Sequence, residues 1–229
     1  MKISKTPYYD YLVILLMPVL ATFITIYFHT SQVVSLLLFF ILPSIYLTIR
    51  DPRFIKKGLI IILCSIPFTI IVDYFAIKDG SWWVYTIFPV RFLNGIPIED
   101  FIWVASWFYF IIIFYEYFID QSHRVKDSPI NKRYKYLIIG WFLALLIFAF
   151  LFMFFEKYLV IPYFYFVSMV ILGVIPLFLL FLKRPSLLYK YSKAIIYFFS
   201  INLLHEISAL STSQWYFPGE HFIGWVQFF

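Results

Sequence analysis

The stretch Asn94-Gly95-Ile96-Pro97-Ile98-Glu99-Asp100-Phe101-Ile102-Trp103 sets two adjacent carboxylates between a Gly-Pro turn and a long aromatic, apolar run that reaches position 118. Proline suits the first turn of a helix, where its missing N–H would have no partner, and acids there are favoured by the positive end of the helix dipole. The spacing therefore predicts a helix that starts at Pro97 and carries Glu99 and Asp100 in its first turn. Beyond them the run is apolar for about 20 residues, the length of a helix that crosses a bilayer.

The rest of the chain has the same character. Of 229 residues, 63% are hydrophobic, 24% aromatic and 13% charged, well above the roughly 45–50% apolar content of a soluble domain. Seven segments are near spanning length: 8–28, 31–49, 58–77, 100–118, 136–155, 160–182 and 194–212. The fold class is an all-α, polytopic membrane bundle of about seven transmembrane helices. Lys2 and Lys5 precede the first apolar run as in a signal peptide, but the run is long, lacks a small-residue cleavage site and leads into further spans, so it reads as an anchor.

The net charge of +6 does not point to nucleic acid, because the basic residues sort by loop rather than gather on one soluble face. The N-terminus and the loops 50–57, 119–135 and 183–193 hold all of the 18 Lys and Arg except Lys78, Arg91 and Lys157. The positive-inside rule puts those loops and the N-terminus in the cytoplasm of a multi-pass cell-membrane protein, with the Pro97 turn facing out. The single cysteine, Cys64, lies in the third span and excludes an intramolecular disulfide.

An internal repeat emerges at an offset of 133 residues. Pro43 meets Pro176, Ile49-Arg50-Asp51-Pro52 meets Leu182-Lys183-Arg184-Pro185, Asp73 meets Glu206, Ala76 meets Ala209 and Trp82 meets Trp215, with no gap from 43 to 84. Each unit is a helix, a basic Pro-containing turn, a second helix with a late acid, and a stretch carrying Trp. Spans 2 and 6 run the same way, so the two repeats are parallel, related by an axis along the membrane normal. The organisation is an N-terminal helix (1–30), a first repeat (31–120) and a second (136–229). A second copy of the acidic turn would begin near position 230, beyond Phe229, and the expectation is an eighth helix supplied by further sequence or another chain.

Ionisable groups at membrane depth are costly and therefore functional candidates. Glu116, Asp120 and Glu156 sit at helix ends beside basic residues and read as interfacial, whereas Asp73 and Glu206 match each other across the repeat about a turn before their helix ends. For Glu99 and Asp100 the plain alternative is helix-start capping, worth about 0.3–1 kcal/mol. The aromatic helix they open favours chemistry instead. Residues i and i+4 share a helix face, so Glu99, Trp103 and Trp107 form one stripe. A carboxyl group in apolar surroundings can keep its proton at neutral pH and act as a general acid. Indole faces attract cations, worth on the order of 2 kcal/mol when desolvated, and exclude water.

These residues carry a resemblance. Asp73-x-x-Ala76 with Trp82-Trp83 and Gly95-Ile96-Pro97-Ile98-Glu99-Asp100-Phe101, then Glu206-Ile207-Ser208-Ala209-Leu210 with Gln214-Trp215-Tyr216-Phe217-Pro218-Gly219, is similar to the small integral-membrane lycopene cyclases. Those enzymes have two tandem lycopene cyclase domains, in one chain or as two subunits, and the resemblance covers about residues 33–229. It implies that Glu99 and Asp100 act in catalysis, although Asp100 stands where a second Glu is more usual. It also implies a linear carotenoid substrate taken from the lipid bilayer and a redox-neutral ring closure through a carbocation.

The residues and the resemblance together lead to an expected set of roles. Glu99 is the leading proton donor, Asp100 its partner, and Asp73 and Glu206 secondary acids that position or relay the proton; Pro97, Trp82, Trp83, Trp103, Trp107 and Trp215 line the substrate pocket. No cofactor is expected: the seven glycines form no dinucleotide or phosphate loop and no His/Cys/Asp spacing suggests a metal. His205, beside Glu206, is the one histidine near a candidate acid. Three other readings stand: a non-catalytic carotenoid-binding or partner subunit in a homo- or hetero-oligomer, a related carotenoid hydratase, and a small proton-coupled transporter. The transporter predicts polar residues along several helices, which spans 2 and 5 offer sparingly.

Overall fold

A computed structural model describes residues 7–93, 95–119, 133–183 and 185–218. Asn94 of the acidic turn, Asp120, the basic residues Lys2, Lys5, Arg124, Lys126, Lys132 and Arg184, and the apolar tail 222–229 lie outside the described residues.

Among the described residues, seven helices are long and apolar enough to cross a membrane. They are α1 (Pro7–Phe28), α2 (Gln32–Arg50), α3 (Pro52–Lys78), α4 (Ile98–Ile119), α5 (Arg133–Phe155), α6 (Phe164–Lys183) and α7 (Ser186–Ser211). The chain is an all-α polytopic bundle with, among the described residues, four two-residue strands: β1 (Trp83–Val84), β2 (Arg91–Phe92), β3 (Ile96–Pro97) and β4 (Trp215–Tyr216). The third and seventh helices start six and eight residues before the expected 58 and 194, because their lysine-bearing first turns continue the helix past the apolar core. Pro97 does not open α4. It is the N-cap, extended at φ −71° and ψ 151°, and pairs with Arg91 as part of β3, so the helix begins at Ile98.

One core lies between α1, α2, α4 and α7, where Ile14, Phe39, Phe40, Phe110, Phe114, Phe198 and Ile201 interlock. A second joins α3 to α5 through Ile70, Tyr74 and Phe148. The most extensive helix contact is α3 against α4, and Gly58 permits part of it, since a Cβ there would run into the Tyr109 ring. By contrast α5 and α6 leave most of their apolar side chains exposed, as lipid-facing helices do. At the end away from the strands, buried Asp10 ties three helices together. It accepts from Tyr46 (2.6 Å), from Tyr117 and from Arg50 (3.0 Å). Lys57 pairs with Glu116 at 2.8 Å, and Lys78 rather than Lys157 meets Glu156, at 3.4 Å.

The same succession of elements occurs twice, 133 residues apart. A π-helical turn at Leu37–Ile41 precedes a regular helix Leu42–Arg50; a π-helical turn at Met169–Val174 precedes Ile175–Lys183. Pro43 and Pro176 account for both widened turns, since proline cannot donate to the carbonyl one turn back. The helix ends match bond for bond. Ser81 N–H donates to Ala76 O as Gln214 N–H does to Ala209 O (both 2.9 Å), and Gly80 (φ 70°) is matched by Ser213 (φ 55°). Strand β1 pairs antiparallel with β4, and the register sets Trp83 opposite Tyr216, its own counterpart at +133.

Candidate functional site

The strands place the site. Arg91 holds the 81–97 loop in shape by donating to Gly95 O (2.8 Å) and Val84 O (3.0 Å), and its guanidinium lies 4.7 Å over the Trp83 ring. The β1–β4 pair carries Trp82 and Trp215 toward the start of α4, where a partly open cavity of about 70 Å³ forms. Its walls include Trp82, Asp100 and Trp103 from the first half of the chain and Glu206 and Trp215 from the second, with Gln32 at the base of α2.

The two adjacent acids part company. Glu99 is fully buried and accepts the Ile87 and Phe88 backbone N–H groups at 2.8 and 3.0 Å, so its carboxyl clamps the loop onto α4. Asp100, 3% exposed, is the one that lines the cavity. The Gln32 side chain lies beside its carboxyl, and Arg91 and Glu99 act on it electrostatically. Asp73, 2% exposed, lies close enough for the two carboxyls to feel each other's charge, and its Oδ2 has no partner in the protein. Glu206 is half-buried and accepts from the Trp215 indole N–H at 3.1 Å.

Of the expected aromatic lining, Trp82, Trp103 and Trp215 reach the cavity. Trp107 does not; it packs edge-on against Phe40 and Phe198 in the core. Trp83 faces Arg91 on the surface and Pro97 is buried in its strand. Comparison with protein-family models, with curated proteins and with solved structures gives no match for this chain.

One group, Gln32, escapes a reading of the sequence, and His205, noted there only as a neighbour of Glu206, has a larger place than that reading gave it. Gln32 is buried where α2 meets α4 and α7, and His205, 1% exposed, stands edge-on to Phe39, Phe40 and Trp215 with Nε2 unpartnered in the protein. Gln32 and Ser35 also make the second span more polar inside than its composition suggests, both being buried. The available signal was a glutamine at the first helical position of an apolar span, which by itself reads as interfacial. Among the described residues, no group of three or more His, Cys, Asp or Glu side chains is placed to hold a metal ion.

The arrangement has a definite chemical capacity. A carboxyl group buried among indoles can donate a proton to an apolar group that enters the cavity. A cation so formed sits against aromatic faces. Two carboxyl groups of the same cavity, Asp100 and Glu206, can give and take the proton without a net change.

Proposed function

We propose that the chain catalyses an acid-initiated, redox-neutral ring closure at the end of a linear polyene, a lycopene-type cyclisation carried out within the membrane. The observation that carries the reading is that Asp100 lines a cavity walled by three indoles drawn from both copies of the repeat. Asp100 protonates the terminal double bond, the internal alkene closes a six-membered ring on the resulting cation, and a carboxylate of the site removes a proton to leave the ring alkene. Asp100 takes the leading role given to Glu99 on sequence grounds, Glu206 serves as the acceptor, and Asp73 supports Asp100 from behind. Trp82, Trp103 and Trp215 steady the cation and keep out bulk water, worth on the order of 2 kcal/mol.

The substrate is a linear carotenoid delivered along the bilayer. The distribution of Lys and Arg puts the N-terminus and the Asp10 end in the cytoplasm of the cell membrane, with the cavity toward the opposite side. A further copy or a partner chain is a natural companion for the exposed α6.

Expression in a bacterium that accumulates lycopene, followed by pigment chromatography, tests the reading. Ring-bearing product is expected from the wild-type chain, with a loss of at least a hundredfold for Asp100→Asn and a smaller loss for Glu206→Gln. Equal product from wild type and Asp100→Asn would remove Asp100 from the chemistry, and acyclic pigment alone from wild-type protein shown to be in the membrane would sink the cyclase reading.

A further inference from the structure

The cavity wall carries hydrogen-bonding capacity that a hydrocarbon leaves unused. Gln32 Oε1, Asp100 Oδ2 and Trp103 Nε1 have no hydrogen-bond partner in the protein, and all three side chains line the same cavity. Gln32 and Asp100 are each only 3% exposed, so bulk solvent does not serve them. Gln32 is in the first turn of α2, while Asp100 and Trp103 are three residues apart on α4, a spacing that brings side chains onto one helix face. Because α2 packs directly on α4, the three polar atoms come from both sides of one helix contact.

Their chemistry selects the ligand. An indole nitrogen only donates, and an amide oxygen only accepts. A group that satisfies both must accept one hydrogen bond and donate another at the same atom. A hydroxyl oxygen does so; an ether or ketone oxygen only accepts, an ammonium group only donates, and an alkene does neither. The Gln32 side chain lies beside the Asp100 carboxyl, with Oε1 and Oδ2 left for the ligand. The cavity, about 70 Å³, has room for such a group at roughly 10–15 Å³ for each water-sized occupant.

We propose that Gln32, Asp100 and Trp103 form a hydroxyl-binding subsite within the cleft. Its oxygen accepts from the Trp103 N–H and donates to Gln32 Oε1, with the Asp100 carboxyl as third partner. The proposal rests on the reading that the cleft receives the end of a long apolar molecule. The hydroxyl has two possible sources: an alcohol on that end group, or a water held beside a hydrocarbon end.

The test uses the purified full chain in lipid nanodiscs, with quenching of its tryptophan fluorescence by farnesol and by the C15 triene hydrocarbon of the same skeleton. Wild type is compared with Gln32→Met and Trp103→Phe, each checked for helix content and monodispersity. Trp82 and Trp215 still report on the cavity in Trp103→Phe. An alcohol source predicts farnesol binding at least tenfold tighter than the hydrocarbon in wild type, with the preference falling below threefold in both variants. A water source predicts similar affinities, together with a sharp O–H stretch in the hydrocarbon-bound infrared difference spectrum that shifts in D₂O and is lost in Gln32→Met. Similar affinities without such a band, or a preference that both variants retain, overturns the subsite. Absence of saturable quenching by either probe overturns the cleft reading beneath it. Because binding is read without turnover, a failure to form rings in cells leaves these outcomes distinct.

Discussion

Glu99 and Asp100 are neighbours in the chain but serve different ends. Consecutive helical residues point about 100° apart at 3.6 residues per turn, so one carboxyl of an adjacent pair faces the cavity and the other faces the 81–97 loop. Asp100 shares its face with Trp103, whereas Glu99 holds the Ile87 and Phe88 N–H groups. Their substitutions should therefore separate. Glu99→Leu, which leaves those donors unpaired, should cost about 1–3 kcal/mol of stability, seen as a lowered thermal midpoint in detergent. Glu99→Gln keeps an acceptor oxygen and should lose less. Asp100→Asn should leave the midpoint near wild type while abolishing product; a fall in midpoint equal to that of Glu99→Leu would assign Asp100 a structural role instead. The motif made both acids visible, but which of them meets the cavity depends on the loop that folds over α4.

At the scale of elements, the turns that end α3 and α7 are the same structure built from different sequences. Each closes with a left-handed residue, Gly80 in one and Ser213 in the other. A residue with a Cβ pays roughly 1–2 kcal/mol in that conformation, while glycine costs about 0.5–1 kcal/mol through the entropy of the unfolded chain. Ser213→Gly should thus stabilise by up to about 1 kcal/mol, and Gly80→Ser should destabilise by a similar amount. Thermal unfolding of the two single variants measures the pair, and changes of the same sign in both would contradict the equivalence of the turns. The offset of 133 residues was legible from prolines, acids and tryptophans alone. The glycine-for-serine exchange was not, because a left-handed turn tolerates several residues and its identity lies in backbone angles rather than composition.

At the scale of the molecule, seven apolar helices divide into a packed group, α1, α2, α3, α4 and α7, and a peripheral pair, α5 and α6, whose side chains are largely exposed. The strands and the cavity occupy one end, and the Asp10 network the other. The proposed orientation can be measured on single cysteines in a Cys64→Ala background. A membrane-impermeant maleimide should label Phe88→Cys in intact cells, and Lys193→Cys only after permeabilisation. The reverse pattern would invert the molecule. It would also place the cavity on the cytoplasmic side, where a substrate would approach from the other leaflet.

Composition and periodicity by themselves determined the solvent, the number of spans and the repeat, because a helix must satisfy its own backbone in lipid and its length is bounded by the bilayer. They also selected the acids, since charge at membrane depth is rare enough to stand out. Only the tertiary structure decided that Asp100 rather than Glu99 lines the cavity, that Trp107 belongs to the core, and that Gln32 meets Asp100 in one cavity across the α2–α4 contact. Those outcomes depend on how helices are rotated against one another and on the antiparallel register of β1 with β4. Both are settled by contacts between residues far apart in sequence, which local pattern does not encode.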